Sequence, residues 1–260
     1  MPRLKLTIAY VGTHFAGWQA QEYKTRVQPR TVQGELEKAL RTMLGRHAGD
    51  EPVRVHGAGR TDSGVHAEGQ VAHVDIPEGA RHTARLHDWQ RGFSALLPHD
   101  MAVISVEEAA PDFHARTSAR GKRYTYSLWL RRDFILPQLR DFAWDCGPLN
   151  VDAMRAALPH LVGTHDFASV QNSGSEVTTS TRTISSITME SPAPDRMLWH
   201  FEADGFLKQM VRNLMGLLVH VGQGKLSPET VPDILAARDR RALSSPTAPA
   251  KGLTLMKVFY

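Results

Sequence analysis

Apolar and polar residues alternate at the start of the chain. Leu4, Leu6, Ile8 and Tyr10 are separated by single positions that are mostly polar. Successive side chains of a strand point to opposite faces of a sheet, so this period of two predicts a strand with one buried face. Similar patterns predict further strands at residues 53–56, 70–76, 102–107, 122–130, 181–190, 197–203 and 253–260.

Other segments carry apolar residues at helical spacing. In the first, Thr31 precedes an apolar stripe that runs from Val32 to Met43, and Gly45 follows it. A threonine before such a stripe and a glycine after it are typical of helix N-caps and C-caps. The same spacing predicts helices at residues 86–96, at 151–161 after a cap at Asn150, and at 207–221, which has the strongest apolar stripe.

The order of these elements indicates the fold class. Strands occur in groups with helices between them, which predicts an α+β fold with mainly antiparallel sheets and helices on one face. The two halves contain a similar mixture of elements. We therefore predict two related subdomains, residues 1–110 and 111–260, with a cleft between them, and Pro111 lies near the boundary.

The composition indicates which partners and which cellular compartment suit this chain. The chain has 260 residues and a formal net charge of +4, which permits a polyanionic partner without requiring one. Its single cysteine, Cys146, cannot form a disulfide within one chain or a cysteine-based metal site, which is typical of a reducing compartment. We see no signal-peptide pattern and no apolar run of membrane-spanning length, so we expect a cytoplasmic protein.

One loop has an unusual composition. Residues 57–67 read Gly-Ala-Gly-Arg-Thr-Asp-Ser-Gly-Val-His-Ala and lie between two predicted strands. Three glycines in so short a segment indicate close backbone approach or positive φ angles. Such a loop can hold the carboxylate of Asp62 rigidly at a cleft. The same composition also fits a tight turn in which Asp62 is only a turn residue.

This loop resembles the catalytic motif of the TruA-type pseudouridine synthases. The similarity covers residues 59–66, with Ser63 where that family usually has alanine. Further segments resemble the family in the same order and at similar spacing, over nearly the whole chain. They are residues 10–19, 112–116, 122–126, 163–169, 206–213 and 248–253.

The resemblance implies an isomerase that detaches the uracil of a uridine from ribose, rotates it and rejoins it through C5. It implies that Asp62 supplies the carboxylate at ribose C1′ and that Arg60 helps to displace the target base. Tyr124 then stacks on the uracil, Arg212 pairs with Asp62, and Leu253 forms an apolar pocket wall. From sequence alone, Arg212 also fits a solvated helix face and Tyr124 also fits cross-strand packing.

The resemblance also implies the substrate and the assembly. The expected targets are uridines 38 to 40 of the tRNA anticodon stem-loop, and the expected assembly is a homodimer whose two subunits contact one tRNA. The reaction requires no metal and no organic cofactor. The 13 histidines show no spacing typical of metal ligands.

Two groups of basic residues are candidates for RNA binding. Phosphate contacts supply affinity that depends strongly on salt, although a run of charges also fits a merely solvated face. The first group is Arg116, Arg120, Lys122 and Arg123, and the second is Lys24, Arg26 and Arg30.

Two other functions compete with this interpretation. The sequence Asp62-Ser63-Gly64 resembles half of an aspartic-type hydrolase site, but that chemistry needs two carboxylates and no second such tripeptide occurs. A non-catalytic RNA-binding module on the same fold is the other alternative. A serine hydrolase has no support, because the chain lacks a Gly-x-Ser-x-Gly segment.

Overall fold

The chain folds into two compact units. The computed structural model describes residues 2–20, 29–48, 52–77, 86–174 and 177–260. Unit 1 comprises Met1–Ala119 and Leu255–Tyr260, and unit 2 comprises Arg120–Thr254. The boundary between the units therefore follows Ala119, whereas we predicted a boundary after residue 110. The final strand lies beside a strand of unit 1, and its residues from Leu255 onward belong to that unit.

Unit 1 is built on mainly antiparallel strands. Strand β1 pairs with both β3 and β4, and the strand order is β4-β1-β3-β10, with the short β2 beside β3. The alternation predicted for β1 is confirmed, because every second residue of that strand is buried. The strands are β1 (Arg3–Tyr10), β2 (His56–Gly57), β3 (His66–Asp75), β4 (Met101–Ala109) and β10 (Leu253–Phe259).

The described residues of unit 1 form two helices, α1 (Val32–Leu44) and α2 (Leu86–Leu96). The predicted cap of α1 is confirmed, since the Thr31 hydroxyl accepts a hydrogen bond from the Gly34 N–H at 3.2 Å. Gly45 ends α1 with a positive φ of 51°. Sequence-level capping signals therefore located this helix to within about one residue.

The described residues of unit 2 include a run of hydrogen-bonded strands and three helices. The strand order is β5-β9-β8-β7, and these strands are antiparallel to their neighbours, whereas the short β6 runs parallel to β5. The predicted α+β class is confirmed in both units. The elements are β5 (Gly121–Trp129), β6 (Trp144–Asp145), β7 (Gly163–Asp166), β8 (Thr181–Ala193), β9 (Arg196–Ala203), α3 (Val151–Ala157), α4 (Met210–Gly222) and α5 (Val231–Ala236).

Several predicted element boundaries were wrong, and the strand predicted at 70–76 already begins at His66. The strand predicted at 53–56 begins only at His56 and has two residues. The helix predicted to reach residue 161 ends at Ala157, because Pro159 lacks the N–H that an α-helix would need there and a 3-10 turn follows. Helix α4 starts at Met210, three residues later than predicted, because Gln209 has a left-handed φ of 60°.

Helix α4 forms the centre of unit 2. Most of its residues are buried, and in such a helix apolar side chains are needed all round rather than on one stripe. A Cβ on Gly216 would lie 2.0 Å from the carbonyl oxygen of Pro246, so the loop before β10 contacts the helix backbone directly. Among the described residues, no helix has the length and apolar character that crossing a bilayer demands.

Three histidine rings cluster in unit 1. The His73 ring centroid lies 5.0 Å from that of His56 and 4.7 Å from that of His114. The buried His73 accepts the N–H of Ala115 at its Nδ1, at 3.1 Å. Burial, followed by the nearby positive charges of Arg3, His114 and His56, lowers the pKa of His73 to about 4.

We predict a pH-dependent loss of stability from His73. Between about pH 6.5 and about pH 4 the unfolded chain binds a proton at His73 and the folded chain does not, so stability falls as the pH falls through this window. Once His73 is fully protonated in the unfolded chain, this residue alone lowers the free energy of unfolding by an amount on the order of 3 kcal/mol. Asp75 opposes the shift, because its negative charge raises the pKa of His73.

Urea unfolding at pH 7.5 and at pH 4.5 measures this effect. His73→Asn keeps an acceptor for the Ala115 N–H but cannot titrate, so its stability should change less between the two pH values. The matched control is His87→Asn at an exposed position of α2, which should retain the wild-type difference. An unaltered pH dependence in His73→Asn would contradict the assignment.

Candidate functional site

Asp62 lies in the loop between β2 and β3. The Val65 N–H donates to the Asp62 carbonyl oxygen at 3.2 Å, and Gly64 has a φ of 80°, so the chain turns tightly just after Asp62. The side chain of Asp62 is half-buried, whereas Arg60 is exposed. The loop therefore presents a carboxylate at the edge of the protein interior, with a basic side chain beside it in sequence.

The end of β1 holds this loop on one side. The hydroxyls of Tyr10 and Thr61 are 2.8 Å apart, and the Gly12 N–H donates to Nδ1 of His66 at 3.0 Å. A Cβ on Gly12 would lie 2.0 Å from the Val65 carbonyl oxygen, so only glycine permits this approach. Burial raises the pKa of Tyr10 to about 12, which keeps its hydroxyl protonated at neutral pH.

The segment after β1 contacts the same loop. The Trp18 N–H donates to the Thr61 carbonyl oxygen, and the Ser63 hydroxyl donates to the Phe15 carbonyl oxygen, both at 3.1 Å. Gly17 has a φ of 98°, and a Cβ there would lie 2.8 Å from the Thr61 carbonyl oxygen. The residues immediately before and after Asp62 are thus both bonded to the segment 15–18.

The base of the loop is fixed by packing. The Gln70 side-chain amide donates to the Gly59 carbonyl oxygen at 2.9 Å. The Trp18 ring is buried and lies so close to Gly57 that a Cβ there would come within 2.5 Å of it. Trp18 is therefore a core residue that supports the loop.

Arg212 is fixed within unit 2 by the segment before β10. It lies near the start of α4, is half-buried, and its Nε donates to the Ala248 carbonyl oxygen at 2.7 Å. The Tyr126 hydroxyl donates to the Pro249 carbonyl oxygen at 2.6 Å. A Cβ on Gly252 would lie 2.6 Å from the Tyr126 ring. Burial raises the pKa of Tyr126, and the charge of Arg212 partly opposes that rise.

Tyr124 and Leu253 complete the predicted set in unit 2. Tyr124 is buried on β5 and its ring contacts Phe206 edge-on, at 5.2 Å between centroids. Leu253 is buried at the first position of β10. The packing partner of Tyr124 is thus an aromatic residue from the loop before α4, in addition to its neighbours on the sheet.

A buried polar network next to Arg212 escaped the sequence analysis. The amide nitrogen of Asn213 donates to the Val170 carbonyl oxygen at 2.8 Å and to Oδ1 of Asn172 at 2.9 Å. Its Oδ1 accepts the Thr247 hydroxyl at 2.6 Å, and Arg240 Nε donates to Asn172 Oδ1 at 3.0 Å. The available signal was an asparagine inside the apolar stripe of α4, since buried polar groups need partners.

The residues of the first basic group differ in their exposure and in their ion pairing. Arg116 and Arg120 are exposed, and Lys122 is half-buried. Arg123 is also exposed, but its guanidinium donates to Glu202 at 2.7 and 2.9 Å. Part of the positive charge expected at Arg123 is therefore balanced by a carboxylate on the neighbouring strand.

The second basic group is described only at Arg30. Its terminal nitrogens donate to both carboxylate oxygens of Asp100 at 2.6 and 2.7 Å, and its Nε donates to Glu35 at 3.2 Å. These contacts involve all three nitrogens of the guanidinium, which favours a structural role for Arg30. The other two members, Lys24 and Arg26, lie outside the described residues. In the described part of the chain, no group of three or more His, Cys, Asp or Glu side chains could hold a metal ion.

Comparison with known proteins gives consistent matches. The sequence model of a family described as tRNA pseudouridine synthase matches residues 6–117 and 157–260. The tRNA pseudouridine synthase A of Nitratidesulfovibrio vulgaris strain Miyazaki F is 52% identical over 100% of both chains. The protein of the same name from Oleidesulfovibrio alaskensis is 53% identical over 100% of this chain and 97% of its own, and that of Geobacillus kaustophilus 43% over 99% and 94%.

We predict that Gly12→Ala destabilises unit 1 and loosens the Asp62 loop. The added methyl cannot fit against the Val65 carbonyl, and overpacking of this kind costs about 1–3 kcal/mol. Thermal unfolding should show the loss, and amide hydrogen exchange of residues 58–65 should become faster. Gly205→Ala is the matched control, because its Cβ would meet only the Arg182 side chain, at 3.5 Å. Unchanged exchange in Gly12→Ala would show that the loop does not depend on this contact.

Proposed function

This chain belongs to the tRNA pseudouridine synthase family, and we infer that it converts uridine to pseudouridine in tRNA with the carboxylate of Asp62 as nucleophile. The observation that carries this proposal is the geometry of the Asp62 loop. A half-buried carboxylate stands on a backbone that is hydrogen-bonded on both sides of it. Such fixed positioning is what a reaction with one defined carbon atom of a large substrate requires.

The chemistry is an isomerisation without a co-substrate. The bond between uracil N1 and ribose C1′ breaks, the uracil rotates, and a bond forms between C5 and C1′. The C5 proton is then lost and N1 gains a proton, so the composition of the nucleotide does not change. The carboxylate of Asp62 either attacks C1′ or stabilises the sugar fragment while the base is detached.

Four other residues have supporting roles in this proposal. Arg60 is exposed in the same loop and helps to hold the target nucleotide out of the base stack. Flipping a nucleotide out of the stack costs a few kcal/mol, so a side chain that stabilises the flipped state is useful. Tyr124 presents its ring to the uracil, and Leu253 provides an apolar surface for it. Arg212 stabilises the negative charge of Asp62. The hydrogen bond from Arg212 to the Ala248 carbonyl supports a fixed guanidinium.

The proposal extends to the target uridines, the assembly and the location. We expect modification at positions 38 to 40 of the anticodon stem-loop, by a homodimer that acts in the cytoplasm. Mapping pseudouridine in tRNA from cells that lack the protein tests the positions. Light scattering of the purified chain tests the dimer. Modification confined to another arm of tRNA would redirect the substrate assignment while leaving the chemistry intact.

We predict that Asp62→Asn abolishes turnover and leaves tRNA binding within about twofold of wild type. The amide keeps the shape of the side chain but is a far weaker nucleophile than a carboxylate. Tritium release from C5-labelled uridine in tRNA measures turnover, and filter binding measures affinity. Glu68→Gln, at an exposed position of β3, is the control and should release tritium at the wild-type rate.

The outcomes separate the competing functions. Release by wild type but not by Asp62→Asn supports the proposal. Release by both would remove Asp62 from the nucleophile role. No release by wild type, with tRNA binding intact, would favour the non-catalytic RNA-binding module.

We predict that Arg116→Glu weakens tRNA binding and reduces its salt dependence. Each phosphate contact that is lost lowers the slope of log affinity against log salt by about 1. Filter binding between 50 and 300 mM KCl measures that slope. Arg91→Glu makes the same charge change at an exposed position of α2 and should retain the wild-type slope. If the two variants have equal slopes, Arg116 is not part of the RNA surface.

A further inference from the structure

A pocket of about 520 Å³ opens on unit 2, beside the junction of β5 and β6. Its volume lies within the range of about 300–1,000 Å³ that is common for ligand sites. Three arginines dominate its lining, and an aromatic ring stands among them. The lining residues are Arg131, Arg132, Phe134, Ile135, Arg140, Asp145 and Cys146.

The aromatic ring of Phe134 is exposed and yet fixed in place. The backbone carbonyl oxygen of Phe134 accepts the indole N–H of Trp129 at 2.5 Å. The rings of Phe134 and Trp129 meet edge-on, with 5.7 Å between their centroids. The Arg131 guanidinium lies 4.4 Å from the centre of the Phe134 ring. Asp133 and Asp195 hold that guanidinium, at 2.5 and 3.7 Å. Phe134 nevertheless remains 44% exposed, so it presents a preformed apolar surface to solvent.

The two remaining arginines of the pocket keep their charge available. Arg132 and Arg140 are exposed, and neither has an ion-pair partner in the part of the chain that the structure describes. A Cβ on Gly147 would lie 2.6 Å from Nε of Arg132, so this side chain lies directly over the backbone at a glycine. The single carboxylate of the lining, Asp145, is balanced by Lys251 at 3.2 Å. The pocket is therefore net positive.

We propose that this pocket binds one nucleotide of the tRNA, with the phosphate against Arg132 and Arg140 and the base against Phe134. Unpaired guanidinium groups match a phosphate, and an exposed aromatic ring held in place is a stacking surface for an unpaired base. An acidic protein segment would match the charge but would not use the ring. The inference depends on the proposed function only in that the ligand is RNA, and it involves none of the residues assigned above to catalysis or to RNA binding.

Filter binding of unmodified tRNA to full-length protein, over a series of KCl concentrations, tests the proposal. Arg132→Ala and Arg140→Ala should each weaken binding about fivefold at 100 mM KCl and lower the salt slope by about 1. Phe134→Leu should weaken binding about tenfold without changing the slope, because stacking carries no charge. Arg155→Ala and Phe142→Leu are the matched controls, at exposed positions outside the pocket lining, and should remain within twofold of wild type.

The readouts distinguish this inference from the proposed function. Binding is measured without turnover, so the pocket can be tested whether or not Asp62 is the nucleophile. Equal affinity and slope in the pocket variants and the controls would overturn the inference. Tight binding of free uridine 5′-monophosphate that the pocket variants abolish, with tRNA affinity unchanged, would overturn it in favour of a small-molecule site. Altered light scattering with unchanged tRNA affinity would instead assign the surface to a second copy of the chain.

Discussion

The backbone of Gly12 passes so close to the carbonyl oxygen of Val65 that no side-chain carbon fits between them, and the position of Asp62 depends on this approach. It allows the Gly12 N–H to reach His66 and the Tyr10 hydroxyl to reach Thr61. The carboxylate itself makes none of these contacts. Its location is set by neighbours that face inward, so the side chain can remain half-exposed without losing its place.

The same arrangement recurs around Arg212 in unit 2. Asn213, the next residue of α4, is fully buried, and its side chain is bonded to three residues in two other segments of the chain. A buried amide with all its hydrogen bonds made resists rotation of the helix, because any rotation would leave polar groups without partners. In both units, therefore, an inward-facing polar residue next to a proposed site residue fixes the local backbone.

Periodicity and capping predicted most of the elements, because those signals are local. The pattern of β1 and the Thr31 cap depend on residues within a few positions of one another, and both were confirmed. The errors have non-local or backbone causes, such as the left-handed Gln209 before α4. The motif at residues 59–66 identified the Asp62 loop, but the role of Trp18 as a support for Gly57 depends on contacts between segments far apart in sequence. The pocket at Phe134 was missed for a different reason. Its lining lies within residues 131–146, but that segment has no periodic pattern, and its arginines and aromatic ring are ordinary surface residues until the backbone folds around one cavity.

The order of the strands along the chain has a consequence for synthesis. Strand β3 of unit 1 lies beside β10, whereas all of unit 2 is encoded between β4 and the part of β10 that belongs to unit 1. On the ribosome, unit 2 is therefore complete in sequence while one edge of β3 still has exposed backbone amide and carbonyl groups. Contacts so distant in sequence form late and leave an open strand edge in the meantime. That edge of β3 stays open until residues 255–259 pair with it.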